Sequence, residues 1–155
     1  MICLADVNEN NFEALRRLDV APEQRRFLDS PLGILARGYV YRTQRARVLA
    51  VLAEGEPVGL LLVKDMDEEP ACYDLQQFMI DSRYQNRGLG TEALRLLLSE
   101  LEKERKYDSV EVCVKKDDAA ALRVYEKAGF VDTGYADEDA PDSLNLIYCF
   151  RPAST

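Results

Sequence analysis

The stretch whose reading decides the fold is Phe78 to Leu101, FMIDSRYQNRGLGTEALRLLLSEL. An apolar strand end gives way to a polar turn with two glycines. The turn feeds a helix in which Leu89, Ala93, Leu97 and Leu101 recur on one face, with Leu94 and Leu98 beside them. Gly88 and Gly90 stand where strand becomes helix. A helix start leaves N–H donors unpaired and carries partial positive charge, and glycine lets a phosphate approach that backbone with no Cβ in the way. Arg83 and Arg87 add positive charge in the same turn. The residues therefore predict a strand–turn–helix that binds phosphate or pyrophosphate, against the plainer alternative of glycines that only satisfy turn geometry.

Two known glycine signatures fail here. There is no G-x-x-x-x-G-K-[ST], so the turn is not a P-loop. Gly88 to Ala93 fits G-x-G-x-x-A, but in a dinucleotide fingerprint the first glycine follows the strand directly. Asp81 to Arg87 intervene, and that match reads as accidental.

Taken from Gln85, the turn is Q-x-x-G-x-G (Gln85, Asn86, Arg87, Gly88, Leu89, Gly90), and it resembles the acetyl-CoA pyrophosphate loop of the GCN5-related N-acetyltransferases. Downstream, Asp118 to Phe130, DAAALRVYEKAGF, is similar to that family's N-x-x-A-x-x-x-Y-E-x-x-G-F signature. Two motifs in order are far more specific than either alone, and the resemblance covers Ala46 to Phe150. Within the family, FMIDSRYQ looks closest to bacterial polyamine acetyltransferases.

The resemblance implies a single N-acetyltransferase domain over residues 1–155 with an α/β (α+β) fold. Its sheet is mixed and mostly antiparallel, with helices on both faces, in the order β-αα-β-β-β-α-β-α-β-β. It also implies a gap between the strands around Cys72–Ile80 and Val110–Val114. There the pantetheine arm of acetyl-CoA pairs with backbone groups of Phe78, Met79 and Ile80, a form of strand addition. Gln85, Asn86, Arg87, Gly88, Leu89, Gly90 and Thr91 form the loop for the rest of the cosubstrate. Tyr125 takes the position of the tyrosine that protonates the departing thiolate; helix periodicity alone offers the alternative of a core residue packed with Leu122 and Ala128. A gap-free count back from the glycines puts Asp74 at the position of a carboxylate base. A bulge in that strand would spoil the count, and loss of the amine's proton to water is the alternative. Asp118 stands where the family usually has asparagine, whose amide contacts CoA. A carboxylate there faces an anionic cosubstrate unless it serves as a helix cap.

Composition narrows the partners. The 155 residues suit one domain, and 47% hydrophobic with 31% charged residues is a globular balance. The net charge of −8 argues against a general nucleic-acid binder and is compatible with a small cationic acceptor, the plainer reading of the acidity being solubility. Histidine is absent, which excludes His-based triads and His metal sites. Cys3, Cys72, Cys113 and Cys149 are widely spaced in strand-like runs, so four buried, reduced thiols and no metal site are expected. The longest apolar runs are too short for a membrane span, and Met1 to Asp6 has no basic segment. A cytoplasmic protein is expected.

Elsewhere, Met1–Val7 reads as a strand and Asn8 or Asn10 as the cap of a helix to about Leu18. Pro22 opens a second helical stretch that Pro31 divides in two. In the family this region borders the acceptor pocket, which makes Tyr39 and Tyr41 candidates; packing is the alternative. Ala46–Ala53 and Val58–Val63 read as a hairpin, and Asp65–Pro70 as an acidic loop. Asp117 or Asp118 caps a helix ending at Gly129. Phe130–Tyr135 and Leu144–Phe150 read as a last hairpin. The expected activity is acetyl transfer from acetyl-CoA to a primary amine, with a polyamine first among acceptors, aminoglycosides, amino acids and protein N-termini open, and a homodimer equally open. The rivals are a catalytically silent CoA-binding module and, more remotely, a small nucleotide-binding domain.

Overall fold

The computed structural model describes residues 1–152. Its strands are β1 (Ile2–Asp6), β2 (Arg47–Ala53), β3 (Glu56–Met66), β4 (Cys72–Ile80), β5 (Ser109–Lys115), β6 (Val131–Asp132) and β7 (Ser143–Cys149). Its α-helices are α1 (Phe12–Leu15), α2 (Pro31–Val40), α3 (Leu89–Glu104) and α4 (Ala119–Ala128), and a 3₁₀ segment, Pro22–Phe27, precedes α2. The seven strands form one sheet in the order β1-β2-β3-β4-β5-β7-β6. Every neighbouring pair is antiparallel except β4 and β5. That pair must be parallel, because α3 is the crossover that returns the chain to the same end of the sheet.

The chain buries apolar surface on both sheet faces. Leu61, Tyr73, Leu75, Ile80, Leu94, Leu97, Leu101 and Phe130 belong to the core under α3 and α4. Leu15, Leu18, Ile34, Leu60, Leu62 and Met79 form a second core under α1 and α2. The run Val58 to Val63 is buried on both sides, as the middle of a two-faced sheet requires.

β4 changes parity part-way along. Leu62 of β3 pairs with Gln77 and Val63 with Leu75, so Gln76 is an extra residue, a β-bulge. Before it, Tyr73 and Leu75 point to the α3 core; after it, Phe78 and Ile80 do. Gln77 and Met79 thereby turn to the α2 side, where the Gln77 side chain accepts from the Asp29 amide at 3.1 Å.

Four expectations are corrected. The first helix is a single turn that ends before Leu18, because Asp19 is pinned to β4's exit: its N–H donates to Asp81 Oδ2 at 3.0 Å, and its carbonyl accepts from Ser82 at 2.9 Å. Asp65 and Met66 belong to β3 rather than to an acidic loop. Asp65 is buried and accepts from Arg45 at 2.8 and 3.0 Å and from Lys106 at 2.6 Å. Burial alone would raise its carboxyl, but those two cations outweigh it and hold it below the ordinary range. Of the four cysteines only Cys72 is buried; Cys3, Cys113 and Cys149 lie on solvated positions of their strands. The last hairpin keeps just two residues in β6.

Candidate active site

β4 and β5 pair at Tyr73–Val110 and Asp74–Glu111 and then part. The backbone of β4 from Leu75 to Ile80 is left without β5 as a ladder partner, which opens a cleft of about 370 Å³ at the strand ends. Phe78, Met79, Ile80, Gly88, Gly90, Asp118 and Tyr125 all line it. Residues as far apart as Phe78 and Tyr125 thus meet because α3 and α4 both start beside this opening.

The glycine turn is shaped for an anion. Asn86 (φ 62°) and Gly88 (φ 79°) are left-handed, alternating with Arg87. Such alternation turns successive N–H groups inward as a nest, and α3 begins directly after it with its unpaired donors. A Cβ on Gly88 would meet nothing within 4 Å, so the position is glycine for its backbone angle. Gly90 differs: its Cβ would sit 3.5 Å from Val124 and 3.7 Å from Ile80, ordinary contact, in a φ any residue adopts. It lines the cleft in the first turn of α3. Gln85, Asn86, Leu89 and Thr91 also line the cleft. Arg87 is not among the lining residues; its guanidinium lies 5.7 Å above the Tyr84 ring. Arg83 is held on Asp81 at 2.8 Å.

Tyr125 is buried between two aromatic rings, Phe130 at 5.4 Å and Phe78 at 6.4 Å, both edge-on. Burial, and after it the charge of Asp118, push its hydroxyl above the ordinary tyrosine range, so it stays protonated at neutral pH. Tyr125 thus packs in the core and also lines the cleft.

Asp118 is the N-cap of α4, its Oδ1 accepting from Ala121 N at 3.2 Å. Burial raises its carboxyl, with a smaller opposing contribution from the Ala121 N–H. The cap accounts for a side-chain oxygen here, but asparagine caps as well as aspartate. Asp118→Asn should keep the fold while removing an anion from the cleft wall. The expected result is an unchanged melting temperature and a KM for acetyl-CoA lowered about two- to fivefold, roughly 0.4–1 kcal/mol of relieved repulsion at a partly solvated site.

Asp74 is not brought to the cleft. It sits at the closed end of the V, about 13 Å of strand before Phe78, with Lys64 Nζ at 3.4 Å from its Oδ2. Burial raises its carboxyl while Lys64 opposes that rise. The bulge at Gln76 is the feature that a gap-free count could not include. Tyr39 and Tyr41 also lie outside the cleft: Tyr39 is exposed with Arg42 stacked at 4.0 Å, and Tyr41 has Lys64 Nζ 5.8 Å from its ring. The α2-side wall comes instead from Val20, Gln24, Phe27 and Leu28. Pro22 marked that segment as helical, but nothing local marked Gln24, whose partner is 61 residues away.

The model of the acetyltransferase (GNAT) family matches residues 4–130, a span that includes the glycine turn and Tyr125. The chain belongs to that family. As a GNAT acetyltransferase it is an enzyme. It is 26% identical over 147 residues to an L-amino acid N-acetyltransferase of Escherichia coli, covering 83% of this chain and 82% of that one. It is equally 26% identical over 136 residues to a spermine/spermidine N(1)-acetyltransferase of Bacillus subtilis, covering 84% and 88%. Among solved structures, an aminoglycoside acetyltransferase in complex with coenzyme A shares the fold of this acetyltransferase. The TM-score is 0.78 at 17% identity, over 96% of this chain and 95% of that one. Spermidine N-acetyltransferase from Vibrio cholerae, in complex with CoA and spermine, matches with a TM-score of 0.74 at 15% identity over 96% and 95%. The mixed, mostly antiparallel fold expected from the sequence is the one observed. Among the described residues no helix is long and apolar enough to cross a membrane, and no cluster of metal-ligating side chains is present.

Proposed function

We propose that the chain is a single-domain, cytoplasmic N-acetyltransferase that moves the acetyl group of acetyl-CoA directly onto a primary amine, with a polyamine as first acceptor. One observation carries the reading: the parted strands, the glycine turn and Tyr125 line one cleft. Acetyl-CoA supplies an activated thioester. The nest at Asn86–Gly88 and the first N–H groups of α3 suit its pyrophosphate. The free edge of β4 suits its pantetheine amides, and an N–H at Met79 or Ile80 can stabilise the oxygen of the thioester as charge develops.

In the transfer, the amine nitrogen bonds to the thioester carbon and the C–S bond breaks. Tyr125 gives its proton to the leaving sulfur and regains one from the new ammonium or from water. The acceptor must first shed a proton, since an alkylamine titrates near 10. With Asp74 paired to Lys64 away from the cleft, water is the better-supported carrier. Direct transfer is supported by Cys72 as well: burial, then the neighbouring Glu111, push its thiol up to about 12, so it is no thiolate nucleophile. The polyamine choice rests on the net charge of −8, which draws cations. The L-amino acid and polyamine relatives are equally similar.

The test has two parts. Acetyl-CoA at about 100 times its dissociation constant should stabilise the fold by about 2.7 kcal/mol in thermal unfolding. CoA release should then appear with spermine or spermidine in a panel that includes amino acids and an aminoglycoside. No thermal shift with acetyl-CoA, alongside a shift with NAD, would overturn the reading; release with amino acids alone would overturn the polyamine choice.

A further inference from the structure

The segment from Asp19 to Asp29 crosses the mouth of the cleft like a strap, fastened at several points. Asp19 is held at the exit of β4 by Asp81 and Ser82. The Asp29 amide is held by Gln77 on β4. On the opposite bank, Arg26 reaches Asp117, next to the α4 cap, at 2.8 Å. Between these lies Gln24, joined to Gln85, the first residue of the glycine turn.

The two glutamines form a closed amide pair. Gln24 Nε2 donates to Gln85 Oε1 at 3.2 Å, and Gln85 Nε2 donates back to Gln24 Oε1 at 3.0 Å. Both ends of the pair are used further. Gln85 Nε2 spends its second proton on the Ile80 carbonyl at 2.7 Å. Gln24 Oε1 takes a second proton from Ala21 N at 3.2 Å, which locks Gln24 to the start of the 3₁₀ segment. The chain of bonds runs from the strap, through both amides, to the last carbonyl of β4. An amide has one acceptor end and one donor end. Without Gln24, Gln85 would keep only its bond to the Ile80 carbonyl, and its Oε1 would lose its partner.

We propose that Gln24 is a positioning residue for the cosubstrate: through Gln85 it holds the glycine turn in register with the end of β4 and so ties the acceptor-side strap to acetyl-CoA binding. The proposal rests on the reading of the cleft as an acetyl-CoA site. A strap shifted by an acceptor would alter cosubstrate affinity through this pair, with no contact between the two ligands.

The experiment is a double-mutant cycle on Gln24→Leu and Gln85→Leu, with acetyl-CoA affinity by titration and steady-state kinetics on each protein. Gln24→Leu should raise the KM for acetyl-CoA about five- to tenfold, a net loss of about 1–1.4 kcal/mol for the two part-buried hydrogen bonds of the amide pair. Its kcat at saturating cosubstrate should change less than threefold. In the Gln85→Leu background the Gln24 substitution should add almost nothing. Full additivity would overturn the proposal, since Gln24 would then act independently of Gln85. So would an unchanged KM, or a lower melting temperature with unaltered affinity. Gln24→Asn, one methylene too short to reach Gln85, gives the same reading if the leucine variant does not fold. Failure of wild-type protein to bind acetyl-CoA would instead defeat the reading of the cleft, which separates the two ideas.

Discussion

Tyr125→Phe is expected to lower kcat by about 10²–10⁴-fold, the usual contribution of a positioned general acid. The substitution removes one oxygen and keeps the ring between Phe78 and Phe130, so the aromatic packing survives. Acetyl-CoA affinity should hardly change, because the hydroxyl is needed only as the thiolate forms. The pH profile gives a second check. Burial raises this hydroxyl above its ordinary range, so its own ionisation should not reduce wild-type kcat below about pH 10. Activity should rise with pH as the amine is deprotonated. A tyrosine that serves packing alone gives the opposite result in the variant: near-normal turnover, because the ring and its packing are kept. Measuring kcat, affinity and melting temperature on one preparation separates the cases, and normal kcat with a good amine would assign the acid elsewhere or dispense with one.

Gly90→Val should weaken acetyl-CoA binding by about 10²-fold, equivalent to losing roughly two charge-assisted hydrogen bonds at the helix start. Gly90 is a cleaner probe than Gly88. Gly88 has φ 79°, so any replacement there strains the backbone by about 1–2 kcal/mol whether or not a ligand binds. At Gly90 a Cβ fits between Val124 and Ile80, and Gly90→Ala should melt near the wild type. Valine adds two γ-carbons beyond that Cβ at a position that lines the cleft. Isothermal titration of the alanine and valine variants beside circular dichroism would distinguish a blocked cleft from a damaged fold. A well-folded valine variant with wild-type affinity would remove this turn from the cosubstrate site.

The element order and the glycine turn were legible because their signals are local. Helical spacing in Leu89–Leu101, Pro31 at a helix start and Gly129 just past a helix end depend on neighbours within one or two turns. Tyr125 was legible through its motif, and its partners Phe78 and Phe130 are consistent with both of its readings. What the sequence hid were pairings between distant segments. Asp65 looked like loop because nothing near it reveals Arg45 and Lys106, 20 and 41 residues away. Asp74 was placed by a count along the strand, which reveals neither the extra residue at Gln76 nor the pairing of Asp74 with Lys64 outside the cleft. Cys3, Cys113 and Cys149 were expected inside because strand residues alternate between faces, and the sequence does not say which face the helices leave bare.

The short ladder between β4 and β5 has a mechanical meaning. Two strands joined at Tyr73–Val110 and Asp74–Glu111 and free beyond behave as a pair of tweezers with a fulcrum. From Tyr73 to Ile80 the arm is about 23 Å long, so a tilt of roughly three degrees at the fulcrum moves the tips by about 1 Å, enough to disturb catalytic alignment. The fulcrum is clamped firmly. The Tyr73 hydroxyl donates to Glu104 at 2.9 Å and accepts from Lys106 N at 2.8 Å, and Glu104 in turn bridges Arg45 and Arg47. The width of the cleft is therefore set at the opposite end of the sheet, by polar side chains that lie outside its lining.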